Sequence, residues 1–173
     1  MKRPKIYYWD SSVFIAFLND EVQDNRGENV EQFLDEAEAG DVFIITSSFT
    51  LVEVIKLKGQ NPIQFTASKK LTEFFEKDYF RFVDATRKIT ASARDLIWTH
   101  SGLFPKDAVH LASAIEFASK EDLDAIHSYD ADFLKLNGKL GISCPICHPV
   151  PRQPLLIKVP SKKIAKKSKR TSN

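Results

Sequence analysis

Apolar positions along the 173-residue chain fall into two alternating kinds of segment. Short runs of apolar, aromatic and β-branched residues at Ile6–Trp9, Val42–Ile45, Tyr79–Val83 and Asp124–His127 read as buried strands. Between them, apolar residues recur at helical spacing. Val13 to Leu18 forms one helix, and Val30, Phe33, Leu34 and Ala37 form another that Gly40 stops. Ser47 or Ser48 caps a helix through Leu51, Val52, Ile55 and Leu57, and Asn61-Pro62 opens one running to about Glu76. Ala85 to His100 is a long helix broken by Gly102, and Pro105 starts another holding Val109, Leu111, Ala112 and Ile115. Asn19–Gly27 is polar and loop-like, Asp132–Leu136 is a short helical turn, and Ile142 and Ser143 give a last short strand. Strands alternating with helices predict an α/β fold with a central, mostly parallel sheet flanked by helices.

Composition narrows the picture. An apolar content of 43% over this length suits one domain with a real core. No segment approaches the ~18 uninterrupted apolar residues of a membrane span, and no apolar leader follows the basic start, so a soluble cytoplasmic protein without a membrane partner is expected. Two cysteines form no disulfide framework, which agrees with a reducing compartment. The net charge of +2 conceals an asymmetry: Lys158, Lys162, Lys163, Lys166, Lys167, Lys169 and Arg170 close the chain without an acid among them. Setting those seven aside leaves 18 basic against 23 acidic residues, so the body carries −5 and the tail +7. With Pro149, Pro151, Pro154 and Pro160 ahead of the lysines, residues 149–173 read as a proline-containing linker and basic, disordered tail on a domain of residues 1–148. Three readings stay open for Lys162, Lys163, Lys166, Lys167, Lys169 and Arg170: a tether for RNA through its phosphates, a solubilising chain end, or a remnant of processing.

Candidate chemistry lies in four acids. In an open α/β sheet, ligands bind beyond the carboxyl ends of the strands. Asp10 directly follows the first strand, and Asp130 stands three residues past His127. Glu53 lies in the second turn of the helix after the second strand, and Asp107 in the first turn of the Pro105 helix. The pattern gathers all four at one edge. Mg²⁺ prefers such oxygen ligands and binds through a few carboxylates plus substrate phosphate. Taken singly, Asp10, Ser12 and Asp107 read equally as helix caps or first-turn acids. Glu53 is the telling case, because Leu51, Val52, Val54 and Ile55 surround it in sequence, and an enclosed acid needs a partner.

The segments IYYWDSSVFIAF around Asp10, TSSFTLVEVIK around Glu53, FPKDAVHLASAIEFA around Asp107 and IHSYDADFLKL around Asp130 resemble, in order and spacing, those of PIN-domain nucleases. More narrowly they resemble the VapC-type toxins of toxin–antitoxin pairs, over Ile6 to Leu136. The resemblance implies a Mg²⁺- or Mn²⁺-dependent endoribonuclease with Asp10, Glu53, Asp107 and Asp130 as its metal-holding acids. It places Asp132 at a commonly acidic neighbouring position, and Ser11, Ser12 and Ser128 where small hydroxyl residues adjoin the acids. It also implies an antitoxin partner covering the site and a homodimer. RNA-processing or DNA-directed PIN nucleases that are not toxins, and a catalytically silent RNA-binding PIN domain, are the alternatives.

His110 stands at i+3 from Asp107 on the same helix face, where it would contact substrate phosphate, move a proton, or pack and hydrogen-bond beside the site. His127 reads as a strand-end residue without a task, and Trp9, Phe14 and Phe17 as core. Cys144-Pro-Ile-Cys147-His148 has the spacing of haem attachment, but that chemistry needs export, and structural zinc would need more ligands than His100, His110 and His127 supply. Two reduced thiols near a strand end are expected.

Overall fold

The computed structural model describes residues 3–19, 21–55 and 65–151. Five strands form one sheet: β1 Lys5–Trp9, β2 Val42–Ser47, β3 Phe80–Val83, β4 Ala125–His127 and β5 Ile146–Cys147. Their spatial order is β3-β2-β1-β4-β5, and every pairing is parallel. The helices are α1 Ser11–Leu18, α2 Arg26–Glu38, α3 Thr50–Glu53, α4 Phe65–Phe75, α5 Arg87–Thr99, α6 Pro105–Ala118 and α7 Ala131–Leu134. The expected α/β architecture is therefore present, and parallel throughout the described strands.

Alternation along β1 divides the core. Tyr7 and Trp9 point to one face, where they pack with Val13 and Phe14 of α1, Val30, Phe33 and Leu34 of α2, and Phe75 of α4. Tyr8 points to the other, packing with Ile45, Ile89 and Ala93 of α5, and Ala108, Leu111 and Ala112 of α6. Burial on both faces is why the strands read as nearly continuous apolar runs. Trp9 and Phe14 are wholly buried and Phe17 is packed against them, as expected of core residues. No described helix is long and apolar enough to cross a membrane.

The strand order also locates a ligand crevice. From β1 the chain steps outward to β2 and β3, then returns to the far side of β1 for β4 and β5. Adjacent connections therefore diverge between β1 and β4, the switch point beyond whose carboxyl ends such sheets bind ligands.

Three expectations need correction. The last strand is Ile146–Cys147 and not Ile142–Ser143. Gly138 and Gly141 adopt positive φ of 73° and 68°, which keeps that stretch in turns until Asn137 Oδ1 accepts the Ile146 N–H at 2.9 Å. Neither Ser47 nor Ser48 caps α3: Ser47 ends β2, Ser48 Oγ accepts the Ala85 N–H at 3.0 Å, and the cap position belongs to Phe49. Finally, α3 ends at Glu53 after a single turn, and its apolar residues are not core. Thr50 is turned inward by a 2.6 Å hydrogen bond to Thr46, which leaves Leu51, Val52 and Ile55 at 45%, 60% and 44% exposed. Leu57, the Asn61-Pro62 helix start and the basic tail lie outside the described residues.

Candidate active site

Asp10 leaves β1 as the N-cap of α1 and is buried. Its Oδ1 accepts the N–H groups of Ser12 and Val13 at 3.0 and 3.3 Å and the Ser12 hydroxyl at 2.5 Å. The ladder continues one residue past the strand pair, with Asp10 N–H donating to His127 O at 3.3 Å, and this sets Ser128 beside Asp10. Ser128 Oγ donates to Asp10 Oδ2 at 2.5 Å and accepts the Asp130 N–H at 2.9 Å. One buried hydroxyl thus ties the ends of β1 and β4 together. Burial pushes the Asp10 carboxyl above its usual range, against the pull of His110, Ser12 and Ser128.

Asp130 caps α7, accepting the N–H groups of Asp132 and Phe133 at 2.8 and 3.1 Å. The Asp132 side chain is exposed and paired with Lys135 Nζ at 2.6 Å, so it stands outside this hydrogen-bonded group.

Glu53 is half-buried at the end of α3, and its partner comes from another element. Its Oε2 accepts the Ser11 hydroxyl at 2.5 Å and lies 2.6 Å from His110 Nε2. Burial pushes this carboxyl upward, but hydrogen bonds from His110 and Ser11 outweigh it and hold the group below its usual range. Glu53 does have the partner that an enclosed acid was expected to need, although of its four apolar chain neighbours only Val54 is buried.

Asp107 is buried in the first turn of α6, with the exposed Lys106 Nζ 3.8 Å away. Its carboxyl is pushed up to about 6: burial is the main cause, Lys106 opposes it, and the negative charges of Asp130, Asp10 and Glu53 add to it. Asp107 therefore lies within electrostatic reach of the other three acids at the carboxyl edge of the sheet. Among the described residues no three His, Cys, Asp or Glu side chains form a group that could hold one metal ion.

Of the remaining candidates, His110 is buried and hydrogen-bonded, with Nδ1 3.0 Å from the Tyr8 hydroxyl and Nε2 3.0 Å from Ser11 Oγ. Tyr8 escaped sequence reasoning; the only signal for it was the alternation of β1, which sends it toward α6. His127 has a packing task, accepting the Trp9 indole N–H at 3.1 Å and stacking on Tyr7, and burial lowers its pKa to about 3. Cys144 and Cys147 are free thiols whose pKa burial raises, and His148 Nδ1 lies 3.1 Å from Ser128 O. A cleft of about 730 Å³ along β4 and β5 is lined by Tyr7, His127, Cys147 and His148 but by none of the four acids.

No curated protein matches the chain. In fold it is similar to a chain of VapBC2 from Rickettsia felis, solved bound to a DNA fragment from their promoter. The TM-score is 0.53 and the identity 16%, covering 83% of this chain and 97% of that one. Residues 7–139, most of the sequence and all four acids with it, match the PIN domain. The chain belongs to the PIN domain family.

Proposed function

We propose that this chain is an endoribonuclease hydrolysing RNA phosphodiester bonds, with Asp10, Glu53, Asp107 and Asp130 holding Mg²⁺ or Mn²⁺. Membership of the PIN family supports a nuclease; an RNA substrate and a Mg²⁺ or Mn²⁺ ion go beyond that membership. The observation that carries it is the buried Asp107 in the first turn of α6, whose carboxyl is driven to about 6 by burial and, added to that, by the charges of Asp130, Asp10 and Glu53. Mutually repelling carboxylates cost stability, and a cation removes that cost. The chemistry of the donor set suits a hard divalent ion, being carboxylate oxygen throughout. When bound, such an ion supplies charge neutralisation at the phosphodiester and an activated water for in-line attack on phosphorus. The protein's part is to fix the ligands: Ser12 and Ser128 hold Asp10, Ser11 and His110 hold Glu53, and the first N–H groups of α7 hold Asp130. Lys106, exposed beside Asp107, offers a cation to substrate phosphate.

Cleavage of labelled RNA with Mn²⁺, its loss in EDTA, and survival of matched DNA are the expected results. Cutting DNA as fast as RNA would establish the DNA-directed alternative, and RNA binding without cleavage the silent one. The fold likeness to VapBC2 supports a toxin held by an antitoxin. So do exposed Leu51, Val52 and Ile55 beside Glu53, an apolar surface that a protein partner or a second copy of the chain would cover. Expressing the chain alone should then arrest growth; unhindered growth with active enzyme would favour a processing nuclease.

The basic tail, on this reading, adds affinity and no chemistry. Ending the chain at Val159 removes Lys162, Lys163, Lys166, Lys167, Lys169 and Arg170. RNA binding should weaken at low salt, with a shallower slope of log affinity against log salt, while turnover at saturating RNA stays the same. An unchanged slope would show a solvated tail.

A further inference from the structure

We propose that His110 is a positioning residue for Glu53, holding one oxygen of that carboxylate so that the other is presented to the metal. The inference rests on the metal-dependent reading above. His110 is 2% exposed, and both of its ring nitrogens are engaged. Glu53 Oε2 lies 2.6 Å from Nε2, and an ionised carboxylate only accepts, so Nε2 must carry a hydrogen; two lone pairs at that distance would repel. Ser11 gives its own hydroxyl hydrogen to the same Oε2 at 2.5 Å, which leaves the Ser11 oxygen, 3.0 Å from Nε2, as a second acceptor for the ring N–H.

The opposite side of the ring is fixed as well. The Tyr8 hydroxyl stands 3.0 Å from Nδ1 and gives that nitrogen a hydrogen-bond partner of its own. A flipped ring would set carbon atoms against both Tyr8 and Glu53. Tyr8 of β1 and Ser11 of α1 therefore hold the imidazole in one orientation, with Nε2–H aimed at Glu53.

Glu53 needs this support from outside its own helix. α3 is one turn long, and Leu51, Val52 and Ile55 around Glu53 are exposed, so that helix packs little against its side chain. With Ser11 and His110 both on Oε2, the arrangement assigns Oε1 as the oxygen that meets a cation. Hydrogen-bonding partners of ligands commonly set metal affinity this way.

The test is Mn²⁺ affinity of the full chain, read from the loss of the free-ion electron paramagnetic resonance signal. His110→Leu should bind Mn²⁺ about ten- to a hundredfold more weakly. His110→Gln, whose amide reaches about as far as Nε2, should stay within a few fold of wild type. In a Glu53→Gln background, His110→Leu should cause no further loss. A folded His110→Leu protein with wild-type affinity would overturn the proposal, as would an equal loss in the Glu53→Gln background, since His110 would then act through something else. Should the leucine variant fail to fold, His110→Asn decides: its amide is too short to reach Glu53, so affinity equal to that of His110→Gln refutes the role. Absence of Mn²⁺ binding by the wild type would overturn the metal reading itself, and this proposal with it.

Discussion

Replacing Asp107 by asparagine is expected to abolish cleavage and, at neutral pH, to raise the melting temperature. The loss of activity follows from removing one of the charges proposed to hold the metal, whose contribution to the transition state is several kcal/mol, or about a thousandfold in rate. The gain in stability follows from the raised carboxyl, displaced from 3.8 to about 6 in the folded protein. Between those values the folded state binds more protons than the unfolded one, so stability falls as pH rises through the window. Below pH 4 the group is protonated in both states and the penalty vanishes; above pH 6 it is fully present. Allowing for solvent screening, the penalty is on the order of 1–2 kcal/mol, and the mutant should melt a few degrees higher at pH 7. The two proteins should converge near pH 4. Adding Mn²⁺ should reverse their order, because only the wild type retains the full ligand set that binding stabilises. Thermal melts across pH, with and without Mn²⁺, check each step. Wild-type turnover by the mutant would remove Asp107 from the site, and a lower melting temperature at pH 7 would contradict the repulsion.

The positions of three of the candidate acids, at strand ends and at a helix start, were legible in the sequence because each stands beside a signal of its own. Asp10 and Asp130 follow apolar runs, and Asp107 follows the proline that opens α6. What no single stretch of sequence shows is the order β3-β2-β1-β4-β5, which puts β1 and β4 side by side and makes their ends a crevice. The Tyr8–His110–Glu53 chain was hidden for the same reason: its first bond joins residues 102 positions apart and its second joins residues 57 apart. Local pattern misled in α3, where apolar residues beside Glu53 imitated a core helix. Two buried threonines decide that turn instead, with Thr46 Oγ1 also bonded to Trp9 O at 2.7 Å. Ile142 and Ser143 imitated an edge strand, but strand identity there depends on which backbone groups can reach β4, and those belong to Pro145 and Cys147.

Asp10 is the acid for which cap and catalyst were hardest to separate, and its variants separate them. Alanine at this position should destroy both activity and much of the stability. It strips the acceptor from the Ser12 and Val13 N–H groups and from the Ser12 and Ser128 hydroxyls, and Ser128 is wholly buried. A lost N-cap costs about 1 kcal/mol, and stranded buried donors cost about 1–3 kcal/mol more, so roughly 2–4 kcal/mol should disappear from the free energy of unfolding. Asparagine should behave otherwise. Its carbonyl oxygen still caps α1, its amide can donate to Ser128 Oγ, and a neutral side chain escapes the burial that pushes the Asp10 carboxyl upward. Ser128 must then redirect its hydrogen, with Ser12 Oγ 3.5 Å away as the nearest hydroxyl, so a cost of less than about 1 kcal/mol is expected. Urea denaturation of both variants, paired with cleavage assays in Mn²⁺, therefore splits two roles carried by one side chain. A stable Asp10→Asn protein without activity shows the charge at work on the metal. A stable Asp10→Asn protein that still cleaves RNA would leave Asp10 as a helix cap and hand the metal to Glu53, Asp107 and Asp130.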